Sequence, residues 1–328
     1  MKSLETLRKL KQEGGFTLLE LLVVVAILAA IAGTATIYLQ DTDARAAAAA
    51  HVAMMDELQK SVLTFHALHQ WDTFPNNFDA MASIADFATT SDGSDAVLLP
   101  TNDVGGILGF EADSIALGTL AADWDVSLAD VGITQLRYID EGATVPTGVN
   151  SCAVATLQDE VASRRNDMVA GNIFNSEAAN GCGVSVTITD QALVPYWIGS
   201  IERILGPGEW GDAQLTINGT GDPEMSSSNV TTVGTVAPVL MAVGFGPSSN
   251  LFNPNEIGAM TSVPVYRHVT ATQYNRFIGL FRVGEARYDG TDWVNQTTEQ
   301  VVFLGVVDGA ADTKEEELGE WDGTRSTV

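Results

Sequence analysis

From Phe16 to Leu39 the chain reads Phe-Thr-Leu-Leu-Glu-Leu-Leu-Val-Val-Val-Ala-Ile-Leu-Ala-Ala-Ile-Ala-Gly-Thr-Ala-Thr-Ile-Tyr-Leu, and apart from the weakly acidic Tyr38 its one ionisable side chain is Glu20. As an α-helix this run is about 36 Å long, enough to cross a hydrocarbon core of about 30 Å with some tilt. No other stretch limits the fold so strongly. A segment this long and apolar either crosses a bilayer or is buried in protein along its whole length.

Glu20 needs a physical explanation. An acidic side chain inside a bilayer costs roughly 2.5–3.5 kcal/mol or more unless it is paired, and no Lys or Arg lies between Phe16 and Leu39. A partner must come from another molecule, or from a new positive charge created at the start of the helix. Cleavage after Gly15 would create that charge, because the amine of Phe16 would then lie about one helical turn from Glu20.

The residues Gly15-Phe16-Thr17-Leu18-Leu19-Glu20, placed after a short basic leader and before an unbroken apolar helix, resemble the class III signal of type IV pilins and type II secretion pseudopilins. The resemblance covers roughly residues 1–75. It implies cleavage after Gly15 by a prepilin peptidase, N-methylation of the new N-terminal Phe16, and pairing of Glu20 with a neighbouring subunit's amine during filament assembly. The partners it implies are other copies of the chain or other pilins, the prepilin peptidase, an inner-membrane assembly platform and the membrane itself. Two other readings compete. An ordinary secretory signal has an apolar region of 7–15 residues with a small-residue cleavage site after it; here the run is longer and Gly14-Gly15 precedes it. An uncleaved signal anchor would leave Glu20 without a partner.

The flanking charges set an orientation. Lys2, Arg8, Lys9 and Lys11 oppose Glu5 and Glu13 before the helix, whereas Asp41 and Asp43 follow it. The positive-inside bias then places the N-terminus in the cytoplasm and the large C-terminal part outside. The expected location is a single-pass inner-membrane protein that later becomes part of a surface filament. A formal net charge of −26, from 42 acidic and 16 basic residues, argues against nucleic-acid binding, which requires basic surface to displace counterions.

The helix is expected to continue past the membrane to about Gln70. Residues 42–71 contain no Gly or Pro, include the block Ala46–Ala50, and place Met55, Leu58, Val62, Phe65 and His69 at alternating spacings of three and four, which marks an amphipathic face. Many pilins carry a proline that kinks the membrane half; position 37 here is Ile, so no proline kink is expected. Pro75, Asn76 and Asn77 end the helix. The resemblance implies a bipartite helix whose second half packs on an antiparallel sheet. The fold class is therefore α+β, with an enlarged β-rich C-terminal head. The expected divisions are a leader at 1–15, a transmembrane or filament-core helix at 16–39, its amphipathic continuation at 40–72, a first part of the head at 73–150 and a β-rich remainder at 151–328.

Within the head, Asp79–Ala88 reads as a short helix, and Ala96–Leu99, Gly106–Phe110 and Ile115–Leu120 as short apolar runs. Strands are expected at Val184–Thr189, Ala213–Ile217, Val236–Val243, Val263–Val269, Phe277–Val283, Arg282–Arg287 and Gln300–Val307, with a hairpin turn over Tyr288–Trp293 and a further strand after it. The acidic end from Asp308 reads as a solvated, mobile tail. Cys152 and Cys182 are the only cysteines; in an oxidising compartment they are expected to form one disulfide. Closing a loop of about 30 residues stabilises by roughly 3–4 kcal/mol in the chain-entropy model, and the intervening Ala155–Val169 has helical character. Pilin disulfides often close a C-terminal loop, a feature this spacing does not reproduce.

Chemistry-bearing motifs are few. Gly206-Pro-Gly-Glu-Trp-Gly211 has the letters of a dinucleotide loop but contains Pro207 and precedes a strand, so it reads as a turn. Ser248 and Ser249 lack nucleophile-elbow spacing. His66 and His69 lie one turn apart without a third ligand and read as packing or surface residues. Acidic turns at Asp92–Asp95, Asn218–Asp222 and Asp289–Asp292 offer oxygens to calcium, with Asp289 and Asp292 the candidate ligands, although none completes an EF-hand pattern. The Asn-x-Thr matches read as ordinary turns in a bacterial protein. The chain is therefore expected to be a non-enzymatic filament subunit. The alternatives are a large minor pilin or pseudopilin at the tip of a pilus or secretion system, and an anchored exported binding protein that never polymerises.

Overall fold

A computed structural model of the chain describes residues 18–69, 72–83, 114–139, 183–190, 192–265 and 276–321. Gly15, Phe16, Cys152, Cys182, Asp92–Asp95, Ala96–Leu99, Gly106–Phe110 and Ala155–Val169 lie outside the described residues.

Helix α1 runs unbroken over Leu18–Leu68, 51 residues. Its second half follows the expected stripe: Met55, Leu58, Val62 and Phe65 are almost completely buried. Burying one such side chain contributes roughly 1.5–3 kcal/mol, so these positions fix α1 to the head. The turn after it is built around Asn76, whose Oδ1 accepts hydrogen bonds from the backbone amides of Asn77, Thr134 and Gln135 at 2.8, 3.0 and 3.0 Å. Its own amide donates to Asn250 Oδ1 at 2.7 Å. The Asn76 side chain thus ties the helix exit to Thr134 and Gln135, and its backbone amide ties it to Asn250.

The head contains strands β1 Phe78–Ser83, β2 Ile115–Thr119, β3 Gln135–Ile139, β4 Gly183–Thr187, β5 Leu193–Trp197, β6 Gln214–Ile217, β7 Pro223–Ser226, β8 Val236–Gly244, β9 Ile278–Tyr288 and β10 Trp293–Val307. Helices α2 Trp124–Asp130, α3 Ile201–Leu205 and α4 Lys314–Trp321 complete it. Eight strands form one curled sheet in the order β10-β9-β8-β1-β3-β4, with β5 pairing β8 and β2 pairing β5; β6 and β7 form a separate hairpin. All pairings are antiparallel except β1 with β3.

All but the first residue of β8 are buried. Neighbours on both faces require a continuous apolar run there rather than alternation. On the side facing α1, Phe78 meets Phe245 and Phe281 with ring centroids 5.6 Å apart in each case, and Phe281 meets Phe74 at 5.5 Å and Phe303 at 5.1 Å. Trp124 anchors α2 against Gly284 of β9, where a β-carbon would lie 2.1 Å from the indole. Only glycine fits that strand position. The buried core takes residues from both expected parts of the head, Leu117 and Tyr138 as well as Val239 and Phe281.

Several expectations need correction. The described part of the expected helix, from Asp79 to Ser83, is not helical: Phe78–Ser83 is strand β1, held between β8 and β3, with Phe78, Asp79, Ala80 and Met81 all buried, and residues 84–88 lie outside the described residues. A slot in the sheet outweighs local helical propensity. From Asp308 to Trp321 the chain is not a mobile tail, because Asp308 and Glu317 are buried and α4 packs against α1, and residues 322–328 lie outside the described residues. Residues 263–265 form no strand. Phe277–Val283 and Arg282–Arg287 are one strand, β9; the run after Trp293 and Gln300–Val307 are likewise one strand, β10, with pairing irregularities between Thr297 and Val302 and between Phe303 and Gly305. The turn over Tyr288–Trp293 joins these two strands as expected, and Gly206–Gly211 is a turn, opened by Gly206 at φ 75°.

Candidate functional site

Every described side chain from Leu18 to Thr36 is exposed, and this stretch is long and apolar enough to cross a membrane. The head covers none of it. Thr34 and Thr36, the hydroxyl side chains of the stretch's last turn, hydrogen-bond inside the helix: Thr34 Oγ1 donates to the carbonyls of Ala30 and Ile31 at 3.2 and 3.0 Å, and Thr36 Oγ1 to that of Ala32 at 2.8 Å. Such back-bonding lets a hydroxyl sit in hydrocarbon without an outside partner. Glu20 lies in the first turn of α1 and is exposed. The partial positive charge of the helix start favours a carboxylate there.

The second half of α1 is held by ionic contacts as well as by its apolar stripe. His51 Nδ1 lies 3.0 Å from Glu317 Oε1, with the two side chains 4% and 1% exposed. Lys314 of α4 reaches Asp56 and donates to Gln59 Oε1 at 2.9 Å. Arg203 of α3 donates to Glu316 Oε1 and Oε2 at 2.8 and 2.9 Å and to Asp312 Oδ1 at 3.2 Å, and stacks over Trp197. Burial pushes the Glu316 carboxyl up, but the bonds from Arg203 and Thr313 outweigh it and hold the group below the ordinary carboxylate range. Thr313 and Glu316 form a reciprocal cap at the start of α4. The Thr-x-x-Glu spacing is a capping-box signal visible in the sequence; the charged run around it reads as solvated surface only when this signal is passed over.

The weaker candidates occupy separate places. His66 Nδ1 is 3.0 Å from the Thr73 carbonyl and its ring stacks on Phe74; His69 Nδ1 is 2.8 Å from the Phe65 carbonyl and its ring stacks on Phe65. These are packing roles. Asp289 Oδ1 accepts from the backbone amides of Thr291 and Asp292, both at 2.8 Å, and closes the β9–β10 turn. Those amides hold its carboxyl below the ordinary value. Asn218 Oδ1 plays the same part between β6 and β7, accepting from the amides of Thr220 and Asp222 at 2.9 Å. Among the described residues no group of three or more His, Cys, Asp or Glu side chains converges as a metal site would require.

The exposed apolar half of α1 is thus the described stretch that the head leaves uncovered. Residues 10–36 match the family model described as the prokaryotic N-terminal methylation motif. This is a pilin-type N-terminus. The match spans the residues just before α1 and the membrane-length half of α1, and it stops before the head. Comparisons with curated proteins and with solved structures gave no match.

Proposed function

We propose that the chain is a structural filament subunit. A prepilin peptidase cuts it after Gly15, Phe16 becomes the methylated N-terminus, and Glu20 neutralises the amine of a neighbouring subunit as both leave the membrane. Leaving a buried charge unpaired costs about 3–5 kcal/mol, so the pair favours a subunit that enters the polymer beside a neighbour with the correct axial offset. The head stays on the outer side of the inner membrane before assembly and forms the filament surface afterwards, with one disulfide between Cys152 and Cys182. An inner-membrane platform and other pilins would be its assembly partners.

One observation carries the reading: the methylation motif lies on a helix whose side chains from Leu18 to Thr36 are all exposed and whose second half packs into the head. The deciding measurement is the mass of the N-terminal peptide from cells. A peptide starting at methylated Phe16 is expected; one starting at Met1 would make residues 1–39 an uncleaved anchor and defeat the proposal. Glu20→Ala should insert into the membrane normally and be depleted from sheared filaments.

The head favours a second role within the same mechanism. At 328 residues the chain spends most of its length on the head, as a low-copy tip subunit would. Abundance in sheared filaments separates the two roles, a trace level marking a minor pilin or pseudopilin.

A further inference from the structure

Three Asn-x-Thr sequences occur in the chain, at Asn218, Asn229 and Asn295. This is the acceptor pattern for N-linked glycans on exported proteins, and the structure treats the three differently. Asn218 is closed into its own turn: its amide nitrogen donates to Glu224 Oε1 at 2.7 Å while its oxygen takes the Thr220 hydroxyl at 2.7 Å. Asn295 lies within β10, and its amide nitrogen donates to the Pro223 carbonyl at 2.8 Å.

Asn229 is the exception. It lies in the connection from β7 to β8, exposed, as is Thr231 two residues on. Among the described residues neither its side-chain amide nor the Thr231 hydroxyl makes a hydrogen bond. The backbone beneath it is pinned: Asp212 accepts from the amides of Ser228 and Asn229 at 3.0 and 2.9 Å and from the Ser228 hydroxyl, and Trp293 Nε1 donates to Ser227 Oγ at 3.0 Å. The loop is held from one side and presents the asparagine amide and the threonine hydroxyl to solvent on the other.

We propose that Asn229 is a glycan acceptor on the exported head. The donor class is an oligosaccharide linked to a polyprenyl diphosphate. Asn229 Nδ2 forms a bond to the anomeric carbon, the bond from that carbon to the diphosphate oxygen breaks, and the polyprenyl diphosphate leaves with the electron pair. One amide proton passes to a base of the transferase, and nothing is oxidised or reduced. The exposed Thr231 hydroxyl supplies the second recognition point that the transferase reads.

The inference rests only on the head being exported, a condition that a filament subunit and an uncleaved anchor both meet. Failure of processing would therefore appear at the N-terminal peptide, and failure of the acceptor at the Asn229 peptide. The test is mass spectrometry with electron-transfer fragmentation on Glu-C peptides of the full chain from its native cells, covering membrane and sheared-surface fractions. A hexose- or hexosamine-containing mass increment on Asn229 is expected. It should be lost in Asn229→Gln and Thr231→Ala, retained in Thr231→Ser, and unaffected by Asn295→Gln. Unmodified Asn229 in every fraction, or sugar on Asn218, on Asn295 or on a hydroxyl instead, would overturn the proposal.

Discussion

The two halves of α1 are one helix with opposite dependencies. From Leu18 to Thr36 the helix is apolar on all sides and none of its side chains is covered; from Met55 to Phe65 one side is apolar and that side is buried. A helix apolar all round needs an apolar environment on every side, which this head does not supply. A helix apolar on one side needs one neighbour, which the sheet and α4 provide. The change in pattern along the helix therefore marks where the chain stops depending on its surroundings and starts depending on itself.

Substitutions can break that contrast, and the largest effect should come from the core stripe. Phe65→Ala is expected to destabilise the head by about 3–5 kcal/mol, read by thermal or denaturant unfolding of the detergent-solubilised chain. Leu22→Ala, at a position 62% exposed, should leave head unfolding within about 0.5 kcal/mol of the parent. Equal losses at both positions would mean that the two halves fold as one unit. Glu317→Ala removes the carboxylate facing His51 inside the head and should cost about 1–3 kcal/mol; an unchanged midpoint would show that α4 does not brace α1.

A smaller effect sharpens the role of α4. The folded Glu316 carboxyl titrates below its ordinary value of 4.5. The unfolded chain therefore takes up the proton first as pH falls, and the contribution of Glu316 to stability is complete above that ordinary value and lost as pH drops through the folded one. Glu316→Gln should flatten this part of the acid limb in a pH series of melting temperatures, and an unaltered limb would contradict the assignment. Asp289→Ala should have the least effect, a slight lowering of the midpoint, because the turn it closes lies at an exposed hairpin end.

How much of this was legible in the sequence depended on whether the governing interactions were local. The stripe from Met55 to Phe65 and the hairpin at Tyr288–Trp293 are set by periodicity and turn chemistry within a few residues, and both were readable. Strand β1 was not: Phe78–Ser83 is extended because β8 and β3 flank it, partners more than 50 residues away in the chain. Strand β5 carries Pro195, which argues against a central strand, yet it pairs with β2 through Leu117 opposite Pro195. The last helix misled for another reason. Glu315, Glu316 and Glu317 look alike as letters, but Glu316 meets Arg203 and Glu317 meets His51, contacts that only the folded chain brings together. Of the proposed assembly site, Glu20 was legible because a lone carboxylate in an apolar run is anomalous in any fold.

The continuity of α1 has a mechanical consequence. Between Leu18 and Leu68 the helix has no break, so a pull on its membrane-side end travels along covalent bonds and the axial hydrogen bonds of the helix into the middle of the head. There the load spreads sideways, in shear, over the Met55–Phe65 stripe and the ionic crossbars to α4. A contact loaded in shear shares force among all its links at once, whereas one loaded in peeling breaks them singly. A head joined to its helix in this way is suited to carrying tension.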